Sequence, residues 1–379
     1  MQQDLDKLFA MDIIKKITAI GLMSGSSLEG ITASAVITDG IDIYEELRAV
    51  NVPYDDDIRE RLQKLQGHRP QESEEMQAEF EALDKDVTQA HAEVAEDIMD
   101  FIGGKPDVVG FHGHTVLHLP QEGFTYQLGS GQMLADRLQT RVVNRFGNAD
   151  MAAGGQGAPL TPSFYAALVN ECEKPVAVLN IGGISEITWL GNNGEMLAFD
   201  IGPGNAPVND WVGRHGGMHM DYNGKLAITG QIHHKVLNNL LRHKFFAKVP
   251  PKSIDRDIFK DKLEHLEGLS LEDGAATATA FIAEAVAYSM VLYLPQMPRR
   301  LIVCGGGAKN PTLVRFIRQR LAGVEVKTAA EIGCRADTLE AQAIAYLAAR
   351  RLYHLPITFP ATTGVSGPTV GGELWEPQI

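Results

Sequence analysis

The chain has 379 residues, 44% hydrophobic and 22% charged, a globular composition too long for one ordinary core, so two domains are expected. A net charge of −14 argues against a nucleic-acid partner, because phosphate backbones need clustered Lys and Arg. The opening MQQDLDKLFA is polar and no apolar run approaches ~18 residues, so neither a secretory signal nor a membrane span is expected, and the cytoplasm is the expected location.

Residues 1–14 read as a short helical or frayed extension ahead of the first strand. A strand at 17–20, a glycine-rich turn GLMSGSSLEG (21–30), a strand at 32–37, an Asp39-Gly40 hairpin turn and a strand at 41–50 make a β-meander. Residues 55–101 form a charged helical stretch, with Ile58, Leu62 and Leu65, then Val87, His91, Val94 and Ile98, at helical spacing. A buried strand at 107–111 and a helix at 132–138 follow. Residues 142–160 read as loop, ending in GGQGAP (154–159). The theme then returns: a strand at 176–181, a Gly-Gly turn, a strand at 187–190, an Asn193-Gly194 turn and a strand at 196–199. A helix at 274–293, a strand at 301–304 and helices at 311–321 and 338–353 complete the pattern. Three-strand meanders followed by helices, given twice, predict a structural duplication. The expected fold class is α/β, two ribonuclease-H-like domains facing a nucleotide cleft. The expected division is 1–140, completed by 350–379, and 141–349.

Three glycine-rich turns, at 21–30, NIGGIS (180–185) and VCGGGA (303–308), each follow a β-rich apolar run. Glycine lets the backbone come close to a ligand, and clustered N–H groups there hold an anion. With FDIGPGN (199–205) soon after the second, they suggest a nucleotide gripped between similar domains. Cys172, Cys304 and Cys334 form neither a disulfide framework nor a CxxC metal pair. His112, His114 and His118 contain a His-x-His whose strand spacing puts both side chains on one face, as in zinc sites. A zinc reading needs further ligands, and no second motif supplies them. His233 and His234 read as a surface pair.

The segments GLMSGSSLEG, GFHGHTVLHLP (110–120), YQLGSGQMLAD (126–136), ADMAAGGQGAPLTPSF (149–164), LNIGGISEIT (179–188), FDIGPGN, PPKSIDRDIF (250–259), CGGGAKN (304–310) and TLEAQAIAYLA (338–348) resemble the anhydro-N-acetylmuramic acid kinases, of the sugar kinase/actin/Hsp70 fold group. The resemblance runs from about residue 17 onward, in the family's order. It implies an ATP- and Mg²⁺-dependent enzyme, a homodimer, that adds water across the 1,6-anhydro bridge of a murein-derived sugar and phosphorylates the freed O6. It implies Asp200 as general base, the alternative being a loop or helix-capping role. ATP contacts are implied for Gly25, Ser26, Ser27, Leu28, Glu29, Gly30, Ile31, Thr32, Gly182, Gly183, Gly305, Gly306 and Gly307, with Glu29 toward Mg²⁺. Substrate contacts are implied for His112, His114, Gln127, Gly155, Gln156, Asn205 and Glu340; for Glu340 the alternative is a solvated acid favoured by its helix N-terminus.

The sequence departs from the family's usual pattern at Glu29 and Ser130, each in place of Asp, and at His114 in place of Gln. Ile31-Thr32 stands for Val-Asp, and Arg145-Phe146-Gly147 for Asp-Phe-Arg. Several departures fall on the expected sugar side, where a lost arginine alters recognition of an anionic substituent. A kinase for another anhydrosugar such as levoglucosan, and a non-catalytic nucleotide-binding paralogue, are the alternatives.

Overall fold

The computed structural model describes residues 15–25, 28, 30–254 and 256–378; the expectations for 1–14, Ser26, Ser27 and Glu29 fall outside them. The first sheet is built from β1 (Ile17–Ser24), β2 (Gly30–Thr38), β3 (Ile43–Pro53), β4 (Val108–Leu119), β5 (Phe124–Leu128), β6 (Val142–Asn144) and β12 (Glu373–Trp375), in the order β12-β6-β4-β1-β2-β3 with β5 paired to β4. The second contains β7 (Val176–Ile181), β8 (Ile184–Leu190), β9 (Met196–Pro203), β10 (Arg300–Cys304) and β11 (Glu325–Thr328), in the order β11-β10-β7-β8-β9. In each, an antiparallel meander continues through two parallel strands, β1-β4-β6 and β7-β10-β11. That shared order is the ribonuclease-H-like arrangement, given twice, as the repeated strand–turn pattern predicts.

The helices of five or more residues are α1 (Asp56–Leu65), α2 (Glu74–Ile102), α3 (Gly131–Leu138), α4 (Asn148–Ala152), α5 (Pro162–Leu168), α6 (Ala206–Gly216), α7 (His234–Leu240), α8 (Leu271–Tyr293), α9 (Pro311–Arg320) and α10 (Leu339–Leu352) among the described residues. The charged stretch expected as one helix is divided between α1 and α2, with Pro70 starting a short 3₁₀ turn between them. Asp55 and Ser73 restart the chain as N-caps, accepting from the amides of Ile58 and Met76. The 142–160 segment is not all loop. It supplies β6 to the first sheet, then α4, because Val142 and Val143 are wholly buried beside β4. Helix α8 is apolar and long enough, by length and composition alone, to cross a membrane, but 78% of its most apolar stretch is buried inside the protein. It packs on α6, α7, α9 and β9.

Three apolar layers result. One lies under α1, α2 and α3 on the outer face of the first sheet, and one under α6 to α9 on the second. The third lies between the sheets, where α10 meets β1, β4, β7, β10 and α5, with Phe164 edge-on to Tyr346 at 5.9 Å. Helix α10 lies against bare backbone: a Cβ added at Gly21 would sit 1.9 Å from the Ala341 carbonyl oxygen, and one at Gly110 2.4 Å from that of Ile344. Gly21→Ala therefore forces α10 off the sheet. We expect it to cost about 2–3 kcal/mol or more, read as a lower urea midpoint at unchanged m-value.

Candidate active site

The two sheets face each other across a cleft of about 950 Å³. Its floor carries a row of polar side chains in register across neighbouring strands. Asn180 on β7 stands opposite Glu186 on β8, and Glu186 opposite Asp200 on β9. Glu340, in the first turn of α10, joins the row by accepting from Asn180 Nδ2 at 3.1 Å. All four line the cleft. Asp200 lies within strand β9 rather than in the loop after it, so its position comes from the sheet ladder.

Asp200 is 3% exposed, and its Oδ2 accepts from the Ile254 amide at 2.8 Å while its own amide donates to the Lys252 carbonyl at 2.9 Å. Burial, then the nearby Glu186, push its carboxyl well above the usual carboxylate range; the Ile254 amide and Lys252 oppose them. The 250–254 segment is itself held. Gln156 Nε2 donates to the Pro251 carbonyl at 2.9 Å, and the Ser253 hydroxyl donates to Gln156 Oε1 at 2.6 Å. Lys252 is buried with its ammonium over the rings of Tyr293 (4.3 Å), Phe245 (4.5 Å) and Phe199 (5.6 Å) and without a hydrogen-bond acceptor among the described residues. Burial pushes it down to about 8, with Asp200 pulling the other way.

Of the residues implied as ATP contacts, Gly25, Gly30, Ile31, Thr32, Gly182, Gly183, Gly305 and Gly306 line the cleft. Gly305 has φ 73°, and a Cβ there would meet Asn180 Oδ1 at 2.3 Å, so only glycine fits. Gly307 instead packs under Ile181, and Leu28 (φ 60°) packs toward the first sheet's core. Asn205 lines the cleft and ties β7 to α6, its Nδ2 donating to the Ile181 carbonyl at 3.2 Å.

His112 and Gln127 line the cleft side by side, 3.3 Å apart. His114 does not line it. Gly113, at φ 68°, breaks the strand alternation, so His114 turns inward and bonds Ser24 Oγ at 2.9 Å, which also accepts from Tyr54 at 2.7 Å. Burial pushes His114 down to about 3, so the ring is neutral. The pair therefore shares no face, and among the described residues no three His, Cys, Asp or Glu side chains converge as a metal site. Gly155 and Gln156 also sit outside the cleft: Gly155 abuts the buried Asp150, and Gln156 supports the 250–254 segment. Asp150 organises this loop by accepting from the Gly157 amide (2.7 Å) and the Thr363 hydroxyl (2.5 Å). Ser130 is the N-cap of α3. Arg145 pairs with Glu373 at the surface, leaving Gly147 as bare backbone on the cleft wall. His233 and His234 are exposed, at the start of α7.

Two residues were not singled out from the sequence. Glu186 had one legible signal, a carboxylate in an otherwise uncharged strand. Lys252 had none, because its aromatic neighbours come from β9, the 244–247 turn and α8.

Two ribonuclease-H-like halves around a glycine-lined cleft with a buried carboxylate define the sugar kinase/actin class of α/β proteins. The sequence profile of the family "Anhydro-N-acetylmuramic acid kinase" matches residues 17–377. A protein of that name from Rhodospirillum rubrum is 45% identical over 360 residues, covering 95% of this chain and 94% of its own. Another from Methylorubrum populi is 44% identical over 378 residues, covering 95% and 99%. A more distant likeness, at a TM-score of 0.44 and 15% identity, is to a solved activator of 2-hydroxyisocaproyl-CoA dehydratase from Clostridium difficile, covering 89% of this chain and 96% of that one. The chain belongs to the anhydro-N-acetylmuramic acid kinase family.

Folding takes the Lys252 ammonium from an ordinary 10.5 to about 8. Between those values the unfolded chain binds more protons, so this group makes stability rise with pH there and costs most below pH 8. Lys252→Met should remove that rise and stabilise the protein at pH 7 by about 1–3 kcal/mol, measured by urea unfolding at pH 7 and 9.5.

Proposed function

We propose that this protein uses ATP to hydrolyse the 1,6-anhydro bridge of anhydro-N-acetylmuramic acid and phosphorylate O6, yielding N-acetylmuramic acid 6-phosphate for cell-wall recycling. The observation that carries the reading is Asp200: a buried carboxylate fixed from both sides by the 250–254 segment and facing a cleft lined with glycine backbone. In this reading Asp200 takes a proton from water as the water oxygen bonds to C1. The C1–O6 electron pair passes to O6, O6 bonds to the γ-phosphorus, and the β–γ bridging oxygen leaves with ADP. One proton is released overall.

Phosphoryl transfer asks the protein mainly for positioning and charge neutralisation. The bare backbone at Gly25, Gly182, Gly183, Gly305 and Gly306 fits a triphosphate. Mg²⁺ is commonly held by one or two carboxylates and the phosphates rather than by a protein cage, which suits a cleft that joins a glycine cradle to scattered carboxylates, Asp221 and Asp337 among them. His112, Gln127, Asn205 and Glu340 are assigned to the sugar, and His114, Gly155 and Gln156 act behind it. The two lobes are taken to divide as the sheets do, with residues 142–144 in the first. The same reading carries a cytoplasmic homodimer, whose mass sedimentation would measure.

The test is ADP release with Mg²⁺ and either anhydro-N-acetylmuramic acid, levoglucosan or no sugar. Turnover is expected on the muramyl sugar, and Asp200→Asn should lower it about 10²–10⁴-fold with nucleotide binding kept. Turnover on levoglucosan alone moves the substrate assignment, and the bare wall at Gly147 is then the place to look. Gly306→Ala is a second check: its Cβ would meet nothing closer than Asn205 Nδ2 at 3.3 Å, so the fold is kept while the methyl enters the cradle. ATP affinity should fall about tenfold, or about 1.4 kcal/mol, by calorimetry.

A further inference from the structure

Glu186 has no role in the reading above, yet it faces Asp200 in register from the next strand and lines the same cleft. Two carboxylates so placed, with Asp200 buried, do not both ionise readily; they hold one proton between them. The partners of each decide where it sits. Asp200 accepts from the Ile254 amide, which can only donate, and the Lys252 ammonium lies nearby. Glu186 is met by the Thr161 hydroxyl at 2.7 Å, which can turn to accept from a protonated acid. Ile254 and Lys252 thus favour an anion at Asp200, and Thr161 serves either form of Glu186. We infer that Glu186 holds the shared proton and thereby keeps Asp200 as the single anion of the pair, the form able to act as base. Glu186 is a positioning residue acting through Asp200, and this role rests on the reading of Asp200 as base.

Burial raises both carboxyls, and the Glu186 charge raises Asp200 further; it is the hydrogen-bond partners, a donor-only amide at Asp200 and a hydroxyl at Glu186, that place the proton on Glu186. Asp200 on β9 and Glu340 on α10 are acids, and Tyr165 on α5 and Cys304 on β10 are neutral because burial drives both far up. Lys252 is the nearby cation, and it stands on the Asp200 side. Burial, then Glu340, push Glu186 up to about 7 against the Thr161 bond. Above that pH a second negative charge appears beside Asp200, and turnover should fall.

The experiment is infrared titration of the whole protein from pH 5 to 9, with pH–rate profiles, for wild type, Glu186→Gln and Asp200→Asn. Wild type should show a carboxylic-acid carbonyl band that fades as pH rises through about 7. In E186Q the component of the band that fades near pH 7 should be lost, and the fall in kcat/KM above neutrality should weaken. A band that persists in E186Q and vanishes in D200N places the proton on Asp200 and overturns the inference. So does an E186Q enzyme that unfolds normally yet is as inactive as D200N, because Glu186 would then act on substrate directly. The infrared band locates the proton even if wild type turns over no anhydrosugar, an outcome that would defeat the kinase reading alone.

Discussion

Helix α10 seated on the bare backbone of Gly21 and Gly110 is the contact on which the rest depends. One face of the helix closes the first sheet, while its neighbours Phe164 and Tyr165 continue the same apolar layer onto the second. The two halves are thereby joined by a single buried layer instead of a flexible tether. The N-terminal end of the helix opens into the cleft and delivers Glu340 to Asn180. The close approach that stabilises the fold therefore also sets the depth of one wall of the site.

The site uses sheet registry where loops would be less exact. Asn180, Glu186 and Asp200 come from consecutive strands, so their spacing is fixed by the ladder. What the ladder cannot fix is supplied by the 250–254 segment, which reaches Asp200 through backbone groups and is tethered by Gln156. Gln156 thus braces the surroundings of Asp200 without lining the cleft. Lys252 adds a charge held by aromatic faces, close enough to bias Asp200 and unable to form a salt bridge that would neutralise it.

Much of this was legible in the chain. Alternation and the Asp39-Gly40 and Asn193-Gly194 turns marked both meanders, because strand period and turn chemistry are local properties. The glycine turns located the cleft for a similar reason. The membership of β6 was hidden, since three residues carry no periodicity and their partners at 373–375 are remote in sequence. His114 misled because alternation was assumed through Gly113, whose positive φ turns the next side chain inward. Gln156 and Lys252 depend on neighbours from separate elements, which spacing along the chain does not report.

The order of strands in the first sheet has a consequence for biosynthesis. Its outer strand, β12, is contributed by residues 373–375, and the helix covering Gly21 and Gly110 by residues 339–352. During translation the β6 edge and the groove over β1 and β4 stay uncovered while the whole second sheet is made. The first meander made is thus among the last parts to be sealed, and its apolar strand surface stays open until the later elements are made. A duplicated fold assembled in this way does not ripen from its N-terminus; its two halves become native together, when the returning chain closes over the first.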